Sequence, residues 1–133
     1  MQLKDVIKTC CQMGQIEVPS EIFSDETDYR DDVTANRVVL CCNLALTQLH
    51  WQLNGDASPR RLYELNDEVV LPANSDQTAS LIEEIYCFGV LSEYFLQTQD
   101  FSCFKLWNER FQSALETLRL SKNYKPLPTG RWI

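Results

Sequence analysis

The chain has 133 residues, a 44% hydrophobic fraction, a formal net charge of −7 and an isoelectric point near 4.6. That length suits one domain able to bury roughly two-thirds of its unfolded surface, and that composition excludes disorder throughout. An acidic chain is a poor partner for phosphate backbones, and no apolar run approaches the roughly 20 residues a bilayer crossing needs, so specific nucleic-acid binding and membrane insertion are both set aside.

The first element is a helix from Leu3 to Met13, in which Leu3, Val6, Ile7, Cys10 and Cys11 recur at three- and four-residue spacing. Gly14 is its expected stop and Pro19 blocks continuation. From Glu17 to Asp32 lie Glu17, Glu21, Asp25, Glu26, Asp28, Asp31 and Asp32 against Arg30 alone, an acidic loop best read as solvated surface. Asp31 or Asp32 then caps a second helix running to about Leu53. That helix is apolar on two sides. Val33, Arg37, Leu40, Leu44 and Ala45, extended by Cys41, Gln48 and Trp51, trace one stripe; Val38, Val39, Cys42, Leu46, Leu49 and Leu53 trace another. Two apolar sides need two partners, one of which can be another subunit.

Asn54-Gly55-Asp56-Ala57-Ser58-Pro59 is a loop. The next stretch, Arg61 to Leu65, Asn66-Asp67 and Glu68 to Leu71, is predicted as a β-hairpin lying on the helices or on a neighbouring chain. A third helix begins at Ser75 or Asp76 and ends near Gln99, with Ile82, Ile85, Tyr86 and Gly89 on one face. Gly89 costs about 1 kcal/mol against alanine in a helix, which close approach of another helix would justify. A fourth helix, capped by Asp100 or Ser102, carries Phe104, Trp107, Phe111, Ala114, Leu115 and Leu118 at helical spacing, a core stripe. The short connection predicts an antiparallel hairpin of helices. Pro126 and Pro128 exclude helix beyond Ser121.

The expected fold is therefore mainly α: an antiparallel bundle of about four helices over residues 1–121 with a small inserted β-hairpin near 60–71, and an extended C-terminal arm over 122–133. The arm is basic, with Lys122, Lys125 and Arg131 and no acidic side chain, and it offers Tyr124, Leu127, Trp132 and Ile133 as apolar anchors. Trp and Arg are the types that most often anchor interfaces, so Lys122, Tyr124, Lys125, Leu127, Arg131, Trp132 and Ile133 are the candidate partner-binding residues. The competing reading folds this arm back onto its own subunit.

Nothing in the sequence carries chemistry. The four glycines are scattered, so there is no phosphate loop, and no Gly-x-Ser-x-Gly elbow occurs. The pairs Glu83-Glu84 and Asp31-Asp32 are adjacent and diverge on a helix. The six cysteines include no Cys-x-x-Cys, and His50 is the single histidine, so no zinc set has the right spacing. Packed, reduced thiols in a cytosol are expected, with no catalytic, cofactor-binding or metal-binding residue and no cofactor.

From Leu71 onward the chain resembles the small head–tail connector (adaptor) proteins of tailed bacteriophages. The likeness rests on Leu71-Pro72, on Ile85-Tyr86-Cys87-Phe88-Gly89 and Ser92-Glu93-Tyr94, and on Phe104-Lys105-Leu106-Trp107-Asn108-Glu109-Arg110-Phe111-Gln112-Ser113-Ala114-Leu115. That last run is similar to the W-x-x-R-[FY]-x-x-A-L pattern of such proteins. Leu3-Lys4-Asp5-Val6-Ile7 looks like their first helix, and a basic tail ends in Arg131-Trp132-Ile133. About half the chain is covered. The resemblance implies a structural virion protein, not an enzyme, made in the host bacterial cytoplasm. It implies a homo-oligomeric ring, usually a dodecamer, in the viral neck between the portal and the tail. The C-terminal arm would reach the portal, the opposite face would receive the adjacent neck or tail protein, and DNA would pass through an acidic ring without sticking. A tail-completion protein one layer below, and a soluble helical protein-binding or regulatory module, are the alternatives.

Overall fold

In the computed structural model the described residues are 2–19, 32–54, 62–72 and 76–120, with the backbone alone for Asn54 and for 76–78. They form four helices, α1 (Leu3–Gly14), α2 (Val33–Asn54), α3 (Asp76–Gln97) and α4 (Phe101–Leu120), and no β-strand. The fold is mainly α, as the periodicity predicts. The acidic loop between residues 20 and 31, and the arm 122–133 with its seven candidate binding residues, lie outside the described residues.

Helix α3 is the centre and packs against each of the other three, most extensively against α4. The α3–α4 turn explains that intimacy. Gln99 adopts a left-handed conformation (φ 62°), and the N–H groups of Thr98, Gln99 and Asp100 return to Tyr94, Leu96 and Phe95 carbonyls. The Asp100 carboxylate then accepts the Cys103 N–H at 3.2 Å and starts α4. Trp107, Phe111, Leu115 and Leu118 of α4 are all buried. Gly89 is where α4 comes closest: a Cβ there would stand 3.0 Å from Phe111 Cε1.

Asp32 caps α2, its Oδ2 accepting the Ala35 N–H at 2.8 Å. The other end is closed by Arg119 of α4, which donates to the Gln52 carbonyl at 2.6 Å and to its side-chain oxygen at 2.7 Å. Cys42 and Tyr86 join α2 to α3 through a buried hydroxyl donating to the Cys42 carbonyl at 3.0 Å.

Helix α1 ends at Gly14, as expected, and the left-handed residue that caps it is Gln15 (φ 56°). Gly14 also admits α3, since a Cβ would meet Leu91 Cδ2 at 2.5 Å. One expectation is corrected: no β-hairpin is seen among the described residues. A turn sits where Asn66-Asp67 predicts it, with the Asp67 N–H donating to the Glu64 carbonyl at 3.0 Å and the Glu64 N–H to Asp67 Oδ2 at 2.7 Å. The flanks do not pair with each other, because their backbone groups are taken elsewhere. Asn43, buried on α2, donates from its amide to the Tyr63 carbonyl and accepts the Tyr63 N–H at 2.8 Å. The carbonyls of Asp67 and Leu65 accept the Leu3 and Lys4 N–H groups at 3.0 and 3.1 Å. Gln2 makes no side-chain cap, so this segment supplies the cap of α1. A single antiparallel bridge, Gln2 with Glu68, is all the β-structure present among the described residues.

Candidate protein-binding surfaces

The thiols are packing groups. All six are free, five of them buried and Cys103 half-buried. Cys10 on α1 and Cys87 on α3 share a hydrogen bond; it pushes Cys10 well above the ordinary thiol value, burial adding to it, and lowers Cys87. Burial pushes Cys41 up to about 12, with the Glu93 charge adding, and pushes fully enclosed Cys42 up as well. His50 sits eight residues beyond Cys42 on α2, about 12 Å further along the helix, and makes no dyad with this cluster. Among the described residues no group of His, Cys, Asp and Glu is placed to hold a metal ion, and no helix is long and apolar enough to cross a membrane.

What remains is surface. On α2 the stripe of Val38, Val39, Cys42, Leu46, Leu49 and Leu53 is buried. The other stripe is covered only in part: Cys41 and Ala45 are buried, while Val33 is 72% exposed, Leu40 46%, Leu44 39% and Trp51 45%. The reason is geometric. Helix α4 meets α2 only lightly, so among the described residues the outer row of α2 is left without a covering helix. Leu96, at the end of α3, is exposed nearby, and a shallow groove of about 190 Å³ runs between α2, α3 and α4 over Gly89, lined also by Gln48, Glu93 and Phe104.

A second concavity lies on the opposite side of α3. It is a cavity of about 490 Å³ walled by Val6, Thr9 and Met13 of α1, Val69 and Leu71 of the 62–72 segment, and Ala79, Ser80, Glu83, Glu84, Tyr86 and Cys87 of α3. Its floor is apolar, and its charged lining consists of the exposed carboxylates of Glu83 and Glu84. Periodicity announces α2's second apolar side, but not this cavity, because no helical period marks the 62–72 segment that forms one wall.

No family model, curated protein or solved structure matches the chain.

Proposed function

We propose that the chain is a structural protein of the bacteriophage virion neck, a head–tail connector whose copies form a ring between the portal and the tail. Its work is binding and sealing between protein chains, without chemistry. The observation that carries this reading is the outer stripe of α2. A core-facing helix keeps its apolar residues inward, and here Val33, Leu40, Leu44 and Trp51 stand exposed in one row. Large aligned apolar side chains on a surface mark a site for another protein. Copies that meet through this α2 face and a different surface of the neighbouring copy make a heterologous contact, which closes into a ring when the rotation allows. The resemblance through Trp107, Arg110, Phe111, Ala114 and Leu115 gives that ring its place in the neck, and residues 122–133 are its arm toward the portal.

The test is a complementation assay with particles lacking this chain. Leu40→Glu with Leu44→Glu is expected to leave the subunit folded, by circular dichroism and melting, yet to yield filled heads without tails. Deleting residues 130–133 is expected to do the same through the arm. Normal infectious particles from both variants would sink the neck reading.

A further inference from the structure

We propose that the cavity between α1, the 62–72 segment and α3 is a docking site for residues 122–133 of the same copy. The two surfaces match in character. The cavity has an apolar interior in Val6, Met13, Val69 and Leu71, with two carboxylates, Glu83 and Glu84, as its charged groups. The segment carries Lys122, Lys125 and Arg131 with no acidic residue, and four large apolar side chains, Tyr124, Leu127, Trp132 and Ile133. An apolar anchor flanked by cations suits a greasy hollow with an acidic rim, and Trp and Arg are the residue types that most often dominate such contacts. A hollow of about 490 Å³ is of the size that receives a large side chain or a small ligand.

The connection reaches. Helix α4 runs antiparallel to α3, so it ends at Leu120 beside the first turns of α3, where Ala79 and Ser80 form one wall of the cavity. The cavity lies on the side of α3 away from α4, so the segment must cross the end of one helix, a width of about 10–12 Å. The thirteen residues after Leu120 span at most about 43 Å when extended. Pro126 and Pro128 favour an extended path and lower the entropy lost on docking. Tethering also places the segment at an effective concentration in the millimolar range, which a second copy would have to match. The site is independent of the neck reading: it stands if the chain has another role, and within the neck it would hold the arm until a partner competes for it.

The experiment uses the full chain with a benzophenone-bearing residue in place of Trp132. Irradiation is expected to cross-link position 132 to peptides containing Met13 or residues 79–87. Mixing heavy- and light-nitrogen protein should give same-isotope pairs only. Glu83→Lys with Glu84→Lys, both exposed and so compatible with folding, should lower the yield about tenfold as rim attraction turns to repulsion. Adding Lys122→Glu, Lys125→Glu and Arg131→Glu should restore it. Cross-links elsewhere, or a yield indifferent to charge reversal, would overturn the assignment. Mixed-isotope pairs would overturn the fold-back and give the cavity to the segment of a neighbouring copy.

Discussion

The two sides of α3 are built by different means. Toward α4 the contact is made by side chains: Phe111 against Gly89, Phe88 and Trp107 with ring centroids 5.9 Å apart, and Leu115 and Leu118 fully buried. Toward α1 and the 62–72 segment, the buried face of α1 is joined by hydrogen bonds that hold the segment in place. The Asn43 amide grips Tyr63, two carbonyls cap α1, and a cavity of about 490 Å³ remains between the parts. Interdigitated side chains leave only a shallow groove of about 190 Å³ over Gly89, whereas the second side leaves the larger cavity, the better shaped of the two to receive an extended segment.

The largest effect should come from the crowded side. Phe111→Ala, at a residue 3% exposed, is expected to cost about 3–5 kcal/mol, and Trp107→Ala a similar amount. Trp107 also carries the Arg110 guanidinium 4.6 Å from its ring centre, which its loss would release. Denaturant melts measure both. A loss below about 1 kcal/mol for Phe111→Ala would erase the contrast, for it would mean the seam collapses around the gap.

On the other side the sensitive residue is polar. Asn43→Ala leaves the Tyr63 N–H and carbonyl without their partner, at a cost of about 2 kcal/mol. Asn43→Asp separates the two bonds, because a carboxylate still accepts from Tyr63 but no longer donates to it. Hydrogen exchange at Tyr63 should speed up strongly in the alanine variant and much less in the aspartate variant. Equal protection in all three proteins would show that the segment is held by something other than this side chain.

These two sides also differ in how far the sequence reveals them. The seam follows from period alone: Phe104, Trp107, Phe111, Leu115 and Leu118 repeat every three or four residues, and Gly89 is expected to mark a close helix approach. The caps Asp32 and Asp100 follow from residue type. The hairpin expectation fails because two short runs around Asn66-Asp67 report a turn, not where the flanking backbone groups find partners. Those partners are Asn43 and the start of α1, at sequence separations of 20 and about 60 residues. A buried asparagine inside an apolar helix is the one local signal of that clamp. The α2 outer stripe is legible as a second apolar side, but what covers it is not, since helical period reports which side chains share a face and not what meets that face.

A smaller effect tests the closeness of the seam. Gly89→Ala gains about 1 kcal/mol of helix propensity, but the new Cβ at 3.0 Å from the Phe111 ring must push a planar, enclosed group. Overpacking of this kind costs about 1–3 kcal/mol, so a net loss of about 1 kcal/mol is expected by thermal melt. In the double variant with Phe111→Leu the penalty should vanish, because the flexible leucine can move aside. A stabilising Gly89→Ala would mean the seam has slack, and the contrast between the two sides would shrink accordingly.

The smallest effect is electrostatic and sets one carboxylate of α3 against two others. Glu83 and Glu84 stand exposed at the cavity, whereas Glu93 is half-buried against α2, and burial raises its pKa above the ordinary 4.5. A raised folded-state value means that the folded chain holds this proton more tightly than the unfolded chain does. The stabilisation is complete below the unfolded value and is lost as pH rises from about 4.5 through the folded value. At neutral pH the ionised group is a small burden on the fold, and it also pushes the neighbouring Cys41 thiol upward. Glu93→Gln is therefore expected to stabilise the protein slightly at pH 7, to leave it unchanged at pH 4, and to flatten the melting profile between them. If instead Glu93→Gln lowers stability at pH 7, the carboxylate is satisfied by a partner on the α2 side, and the groove over Gly89 is a polar contact already filled.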